Sequence, residues 1–298
     1  MTNVPNAPEN STDRSDAKSL LQIHIAVFFL GISALAAKWS SLSALALTFG
    51  RVWISSPALL IYLKLRRMPV RLQSRQDYRV MAILGLLWAV HWVAFLQSAQ
   101  LATVAIATIT FATYPVFVTF LEPWLFKERL RLIAVVESLL MLFGAAIIVP
   151  WEPSSGLLPG FAWGMLASVL HAAIVLLNRK MVNDYSGEVV AFYSQAAAAL
   201  ILLPVGFIMR PVFIGRDLMA VLVLGLVCSA LAQALVGRGL KRVRAQTLAL
   251  IGGLESVYGI LMAAILLGQP PTLRELIGGI IVLGVSLFAT VQKQASYN

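Results

Sequence analysis

Ten stretches of this chain each carry about twenty mostly apolar residues, the length a helix needs to cross a bilayer. They fall near residues 20–37, 43–63, 80–97, 103–125, 132–149, 160–178, 189–209, 218–237, 245–267 and 275–291. The runs are continuously apolar, without the alternation of a membrane barrel strand, and so predict helices. Short breaks between them hold turn formers: Pro69, the Pro150 to Pro159 stretch, Pro211 and Pro270-Pro271. Charged residues are only 12% of the chain and mean hydropathy is +0.85. A soluble domain carries about 25% charged residues, so a soluble fold is excluded. The polar residues 1–19, with Glu9, Asp13 and Asp16, do not have the basic-then-apolar order of a signal peptide and predict a disordered cytoplasmic N-terminal tail.

The ten runs divide into two sets of five that resemble each other. Ala105 to Val149 reads AIATITFATYPVFVTFLEPWLFKERLRLIAVVESLLMLFGAAIIV, and Ala245 to Ala289 reads AQTLALIGGLESVYGILMAAILLGQPPTLRELIGGIIVLGVSLFA. Each is an apolar segment, a polar break and a second apolar segment with a late glycine, Gly144 or Gly284. Upstream, Leu84-Gly85-Leu86 matches Leu224-Gly225-Leu226. The expected architecture is therefore an all-α integral membrane protein of ten transmembrane helices, built as two inverted five-helix repeats over 20–150 and 159–291, with a cytoplasmic C-terminal tail at 292–298. Internal duplication of this kind marks transporters that rock about a midplane site.

Basic residues set the expected orientation. With the N-terminus inside, eighteen of the Lys and Arg residues fall on the cytoplasmic side and four outside: Lys38, Arg210, Arg216 and Arg274. Arg51 alone lies within a span. Five helices per half is an odd number, so matched loops must lie on opposite sides of the membrane. Their charges agree: the loop at 98–103 has no Lys or Arg, whereas its counterpart at 238–244 has four. The net charge of +10 is thus explained by cytoplasmic loops and lipid, and nucleic acid is not an expected partner.

The motifs resemble those of the ten-helix drug/metabolite transporter superfamily, EamA type. FFLGISALAAKW, closing on Lys38, resembles the opening of that family, and Arg51 in LTFGRVWISSPALL its second helix. Tyr114-Pro115 and Leu254-Glu255-Ser256 stand where proline-containing motifs are frequent, and LLGQPPTLRELIGGIIVLGV resembles the last signature. Two departures are Ser256 in place of proline and Gln269 in place of glutamate. Within the superfamily the chain is most similar to the YddG-type aromatic amino-acid exporters. That resemblance implies a bacterial inner-membrane exporter of amino acids, aromatic and broader, with cationic aromatic compounds as further substrates.

Polar groups at membrane depth are costly and point into protein or water. Arg51 and Glu255 each lie near the middle of a span. They predict either a buried pair locking the second and ninth spans together, or groups that meet the charged ends of a zwitterion. His91 lies in LLWAVHWVAFLQ beside Trp88 and Trp92, which share a helix face at i and i+4. That cluster suits stacking on an aromatic ligand or holding a cation, or simple helix packing. Tyr114 precedes a helix-breaking proline. Trp163 is either an interfacial tryptophan or a cavity wall. The candidate substrate-binding set is therefore His91, Trp88, Trp92, Tyr114, Trp163, Ser256, Arg51 and Glu255. Histidines also occur at His24 and His171, the latter mid-span.

No HExxH, Walker or GxSxG motif is present, and the single cysteine, Cys228, provides neither a disulfide framework nor a cysteine-rich metal site. The chain is expected to be neither an enzyme nor dependent on a cofactor or metal. The expected function is alternating-access export of amino acids. The rivals are other small metabolites or drugs on the same fold, and a membrane scaffold without transport.

Overall fold

The computed structural model describes residues 10–126, 130, 132–149, 156–239 and 245–295. Lys127, Arg129, Arg131, Lys241, Arg242 and Arg244, which contribute to the orientation argument, lie outside the described residues, as do residues 1–9 and 296–298. The described chain is helical throughout, with no strand among the described residues. Its elements are α1 (Asn10–Trp39), α2 (Ala44–Leu65), α3 (Arg75–Leu101), α4 (Val104–Phe111), α5 (Tyr114–Phe126), α6 (Leu132–Ile148) and α7 (Leu158–Met181). They continue as α8 (Gly187–Ile201), α9 (Leu203–Met209), α10 (Gly215–Leu222), a π-helical segment (Val223–Leu231), α11 (Ala232–Gly239), α12 (Ala245–Leu266) and α13 (Leu273–Ala295).

Seven of the described helical stretches are long and apolar enough to cross a membrane: Leu20–Trp39, Ala44–Leu65, Arg75–Leu101, Val104–Pro123, Leu158–Met181, Gly187–Met209 and Gly215–Val236. Leu132–Ile148 and Leu254–Leu266 are shorter apolar helices. The outward surface suits lipid, with Ile208 81% and Ile280 71% exposed. α1 begins at Asn10, inside the stretch whose polarity predicted a tail. Polarity marks where a chain leaves the bilayer, but backbone hydrogen bonding can carry a helix beyond that edge.

Three expected spans are interrupted, each for a local reason. Pro115 lacks the amide that would continue the ladder, and the turn between α4 and α5 tightens instead. Thr113 bonds the Thr110 carbonyl through both its amide (3.2 Å) and its hydroxyl (2.7 Å). Pro204 does the same after Leu202, separating α8 from α9. The third irregularity is the π-helical segment, where the Ser229 hydroxyl donates to the Leu224 carbonyl five residues back at 2.8 Å. π-turns recur at functional sites.

Small residues bring the helices together. A Cβ on Gly85 would lie 2.5 Å from Ala197 Cβ and 2.8 Å from the Ala198 nitrogen on α8. A Cβ on the matching Gly225 would lie 2.7 Å from Ile54 Cβ on α2. α3 also packs on α7, α1 on both α11 and α12, and α6 on α13, where Gly144 approaches Gly278.

Each end of the bundle is tied by polar contacts. At one end the Asp217 carboxylate accepts from Ser40 Oγ (2.7 Å), the Ser41 amide (2.9 Å) and Ser41 Oγ (2.6 Å). Nearby, Lys38 Nζ donates to the Ala102 carbonyl at 2.6 Å, and the Thr103 hydroxyl donates to Glu275. At the other end Arg179 pairs with Glu122, and the Tyr185 hydroxyl donates to Asp77 at 2.6 Å. Burial and that carboxylate hold the Tyr185 hydroxyl above the ordinary tyrosine range. These ties surround a middle layer where the charged and aromatic side chains meet.

Candidate functional site

Arg51 is the most heavily committed polar group of this layer. It is 3% exposed on α2. Its Nε donates to Ser229 Oγ at 2.5 Å, and its Nη2 lies 3.4 Å from the Cys228 carbonyl. The π-helical segment thus presents both a hydroxyl and a carbonyl to the guanidinium. Above the Trp92 ring, Arg51 Cζ stands 4.4 Å from the centroid, a cation–π separation. Nη1, however, is buried without a hydrogen-bond partner.

The Glu255 carboxylate on α12 is close enough to act electrostatically on Arg51, yet the two form no ion pair within 4.0 Å. The direct lock between the second and ninth spans is therefore not formed: Ser229, Cys228 and Trp92 occupy the guanidinium instead. The backbone of Glu255 packs against Gly31 of α1, where an added Cβ would meet the Glu255 carbonyl at 2.9 Å.

Trp92 begins a continuous aromatic cluster. Its ring centroid is 4.7 Å from Trp88, which is 5.4 Å from His91 and 5.7 Å from His171. His171 on α7 is the hub. It lies 5.0 Å from His91, 4.9 Å from Phe111 and 4.8 Å from Tyr114. Phe111 stacks on Tyr114 at 5.7 Å, and His91 on Phe95 at 6.3 Å. His91 Nδ1 is 2.9 Å from the Ala167 carbonyl. A carbonyl only accepts, so Nδ1 carries the proton and the lone pair is on Nε2. His171 Nδ1 is buried and has no partner.

The structure thus gathers Arg51, Trp92, Trp88, His91 and Tyr114 into one connected group. Trp163 is partly buried against the same hydrophobic cluster as Tyr114 and Phe95. Ser256 is otherwise engaged. It is 3% exposed and donates to the Thr108 carbonyl at 3.0 Å, tying α12 to α4. His171, Phe111 and Ser229 complete the group but were not in the candidate set. The available sequence signal was weak: a mid-span histidine and a Cys-Ser pair in an apolar run.

In chemical terms the group offers an unused guanidinium donor, a carboxylate nearby and a belt of aromatic faces. Among the described residues no cluster of three or more His, Cys, Asp or Glu side chains could hold a metal ion.

The EamA-like transporter family matches this chain twice, over residues 17–149 and 158–291. An uncharacterized transporter of Bacillus subtilis, YxxF, is 23% identical over 233 residues, covering 76% of this chain and 74% of its own. An uncharacterized transporter of Clostridium kluyveri is 26% identical over 234 residues, covering 74% and 75%. Another, from Archaeoglobus fulgidus, is 26% identical over 209 residues, covering 70% and 74%. A protein of known crystal structure superposes with a TM-score of 0.67 at 20% identity, over 95% of this chain and 99% of that one. None of these relatives carries a substrate in its name, so they support the transporter family without extending to aromatic amino-acid export.

Proposed function

The chain belongs to the EamA-like transporter family, and from that premise we propose that it exports amino acids, aromatic ones foremost, across a bacterial inner membrane. It is a multi-pass membrane transporter and not an enzyme. The observation that carries the substrate reading is the buried, unpartnered Nη1 of Arg51 beside an aromatic cluster. An α-carboxylate satisfies that donor, with a charge-assisted bond of about 1.5–3 kcal/mol. Glu255 faces the ammonium, and Trp88, His91 and Tyr114 take the side chain. A phosphate-bearing substrate wants several cations at depth, and Arg51 is the one Lys or Arg near the middle of a span.

Ten spans in two inverted repeats are the architecture we assign to it. Support comes from matched contacts: Gly85 of the third span packs on the seventh, and Gly225 of the eighth on the second. The pairing of α6 with α13 maps onto itself under the same exchange. Alternating access then consists of breaking one set of end ties while the other holds.

The direct test is purified protein in liposomes offered labelled phenylalanine, other amino acids and a cationic aromatic dye. Saturable phenylalanine flux is expected. Flux of the dye alone would move the reading to cationic drugs. In the same assay His91→Ala and Tyr114→Ala should each cut flux about tenfold or more, while melting temperature shifts little. Equal loss of flux and folding would return both residues to packing.

The orientation is tested separately. We place both termini and the 64–79 loop in the cytoplasm, from the eighteen-to-four division of basic residues. On a Cys228→Ala background, Arg71→Cys should resist an impermeant thiol reagent in intact cells and react after lysis. Ready labelling in intact cells would invert the topology.

A further inference from the structure

We infer that His171 is a proton-binding site, and that its imidazolium and the substrate ammonium exclude each other so that proton entry drives export. The inference rests on the transport reading above.

The geometry around His171 is the starting point. Trp88, Phe111 and Tyr114 meet its ring nearly at right angles, at 77°, 75° and 76°. Their centroids lie 5.7, 4.9 and 4.8 Å away. Perpendicular contacts at these separations pair the electropositive edge of one ring with the electron-rich face of another. A cation within about 6 Å of such faces is attracted to them. His171 Nδ1 is buried without a hydrogen-bond partner, so a proton can be added there without displacing an existing bond.

His91 limits the site to one proton. Its Nδ1 proton is committed to the Ala167 carbonyl at 2.9 Å, and a second imidazolium 5.0 Å from the first would be repelled. Ala167 lies one turn before His171 on α7, so movement of that helix alters both histidines together. The other groups that face His171 are Trp88 on α3, Phe111 on α4 and the Tyr114 hydroxyl on α5. Arg51 on α2, Cys228 in the π-helical segment and Glu255 on α12 lie further out.

Coupling follows from charge. Arg51 is already a fixed cation. A substrate ammonium held between Glu255 and the edge of the aromatic belt adds a second positive charge, and an imidazolium would be a third. Two like charges about 5 Å apart at an effective dielectric near 20 disfavour joint occupancy by a factor on the order of 100. Proton and amine therefore take turns, which is antiport.

The test has two arms. In the first, protein labelled with 15N-histidine is titrated in lipid nanodiscs without substrate; the chain has only three histidines. One titrating imidazole signal should disappear in His171→Gln and persist in His91→Gln and His24→Gln. Trp88→Leu, which removes one of the three perpendicular rings, should weaken that proton binding about threefold or more. A histidine spectrum unchanged by His171→Gln, or titration that follows His91 instead, overturns the assignment.

In the second arm, proteoliposomes with clamped membrane potential receive labelled phenylalanine and an imposed pH gradient. One-for-one exchange supports about tenfold accumulation per pH unit. His171→Gln should bring the final accumulation ratio to one, whatever exchange rate remains. Wild-type accumulation in the variant overturns the coupling. If the wild type moves no phenylalanine at all, the amino-acid reading fails, and the titration arm alone decides whether His171 binds a proton. Should His171→Gln not fold, His171→Asn provides the same comparisons.

Discussion

Arg51→Leu should reduce amino-acid flux by roughly 100-fold or more while lowering stability only moderately. The bonds to Ser229 and Cys228 and the Trp92 contact are all lost. Charge-assisted hydrogen bonds contribute about 1.5–3 kcal/mol each, and a cation–π contact about 0.5–2. Against this, an arginine at membrane depth costs about 2.5–3.5 kcal/mol by insertion scales. The lost contacts outweigh that relief by roughly 0–5 kcal/mol, so leucine should lower stability moderately without abolishing the fold. Transport should not, because the substrate carboxylate loses its only cationic partner. Stranding such a charge costs about 3–5 kcal/mol, which is roughly 100-fold at the least. Arg51→Lys should not restore flux: an ammonium has neither the planar fork nor the ring stacking that reaches Ser229, Trp92 and the substrate together. A double-mutant cycle with Glu255→Leu completes the test. Without substrate the cycle should show only weak coupling, because the residues act on each other electrostatically but form no ion pair. With substrate bound the cycle should show coupling, since one zwitterion engages both. Strong coupling without substrate would restore the direct pair. Full flux in Arg51→Leu would remove the guanidinium from the site.

What the sequence disclosed and what it withheld divide along a physical line. Hydropathy is a property of single segments, so the apolar runs were readable. The break at Tyr114-Pro115 was too, because proline acts on its own helix. The Trp88, His91 and Trp92 face follows from helical spacing alone. By contrast, the place of His171 depends on α3, α4 and α5 arriving at one point of α7. Nothing within VLHAAIVLL specifies that. The π-helical segment contains no proline to announce it; its signature is one serine hydroxyl reaching a carbonyl five residues back. Ser256 shows the converse. It stood in the candidate substrate-binding set, but its place on α12 turns its hydroxyl onto the Thr108 carbonyl. The Arg51–Glu255 lock failed for a related reason. Charge and depth bring two side chains to one layer, but local hydrogen bonds decide whether they touch.

The same distinction governs the glycines, and there it gives a prediction about folding. Gly144 and Gly284 occupy matched positions in the repeat, yet their surroundings differ. A Cβ on Gly144 would meet Ile281, Val282 and the Gly278 carbonyl at 2.9–3.1 Å, whereas Gly284 has nothing within 4 Å. Gly284→Ala should therefore be neutral or stabilising by up to about 1 kcal/mol, because alanine favours the helix. Gly85→Ala should act in the opposite direction. Its Cβ would stand 2.5 Å from Ala197 Cβ and 2.8 Å from both the Ala198 nitrogen and the Ser194 carbonyl. Two of those neighbours are backbone atoms of α8 and cannot rotate aside, so α3 and α8 must separate. Overpacking of this kind costs about 1–3 kcal/mol, beyond whatever alanine gains for the helix. Gly225→Ala, facing Ile54 and the Arg51 carbonyl, should be as damaging and should also displace the Arg51 backbone. Thermal melts in detergent across the four alanine variants provide the comparison. Losses at Gly85, Gly225 and Gly144, with none at Gly284, are the expected pattern. Uniform losses would mean that the glycines serve helix bending or sliding, and that close approach between the packed helices is not what selects them.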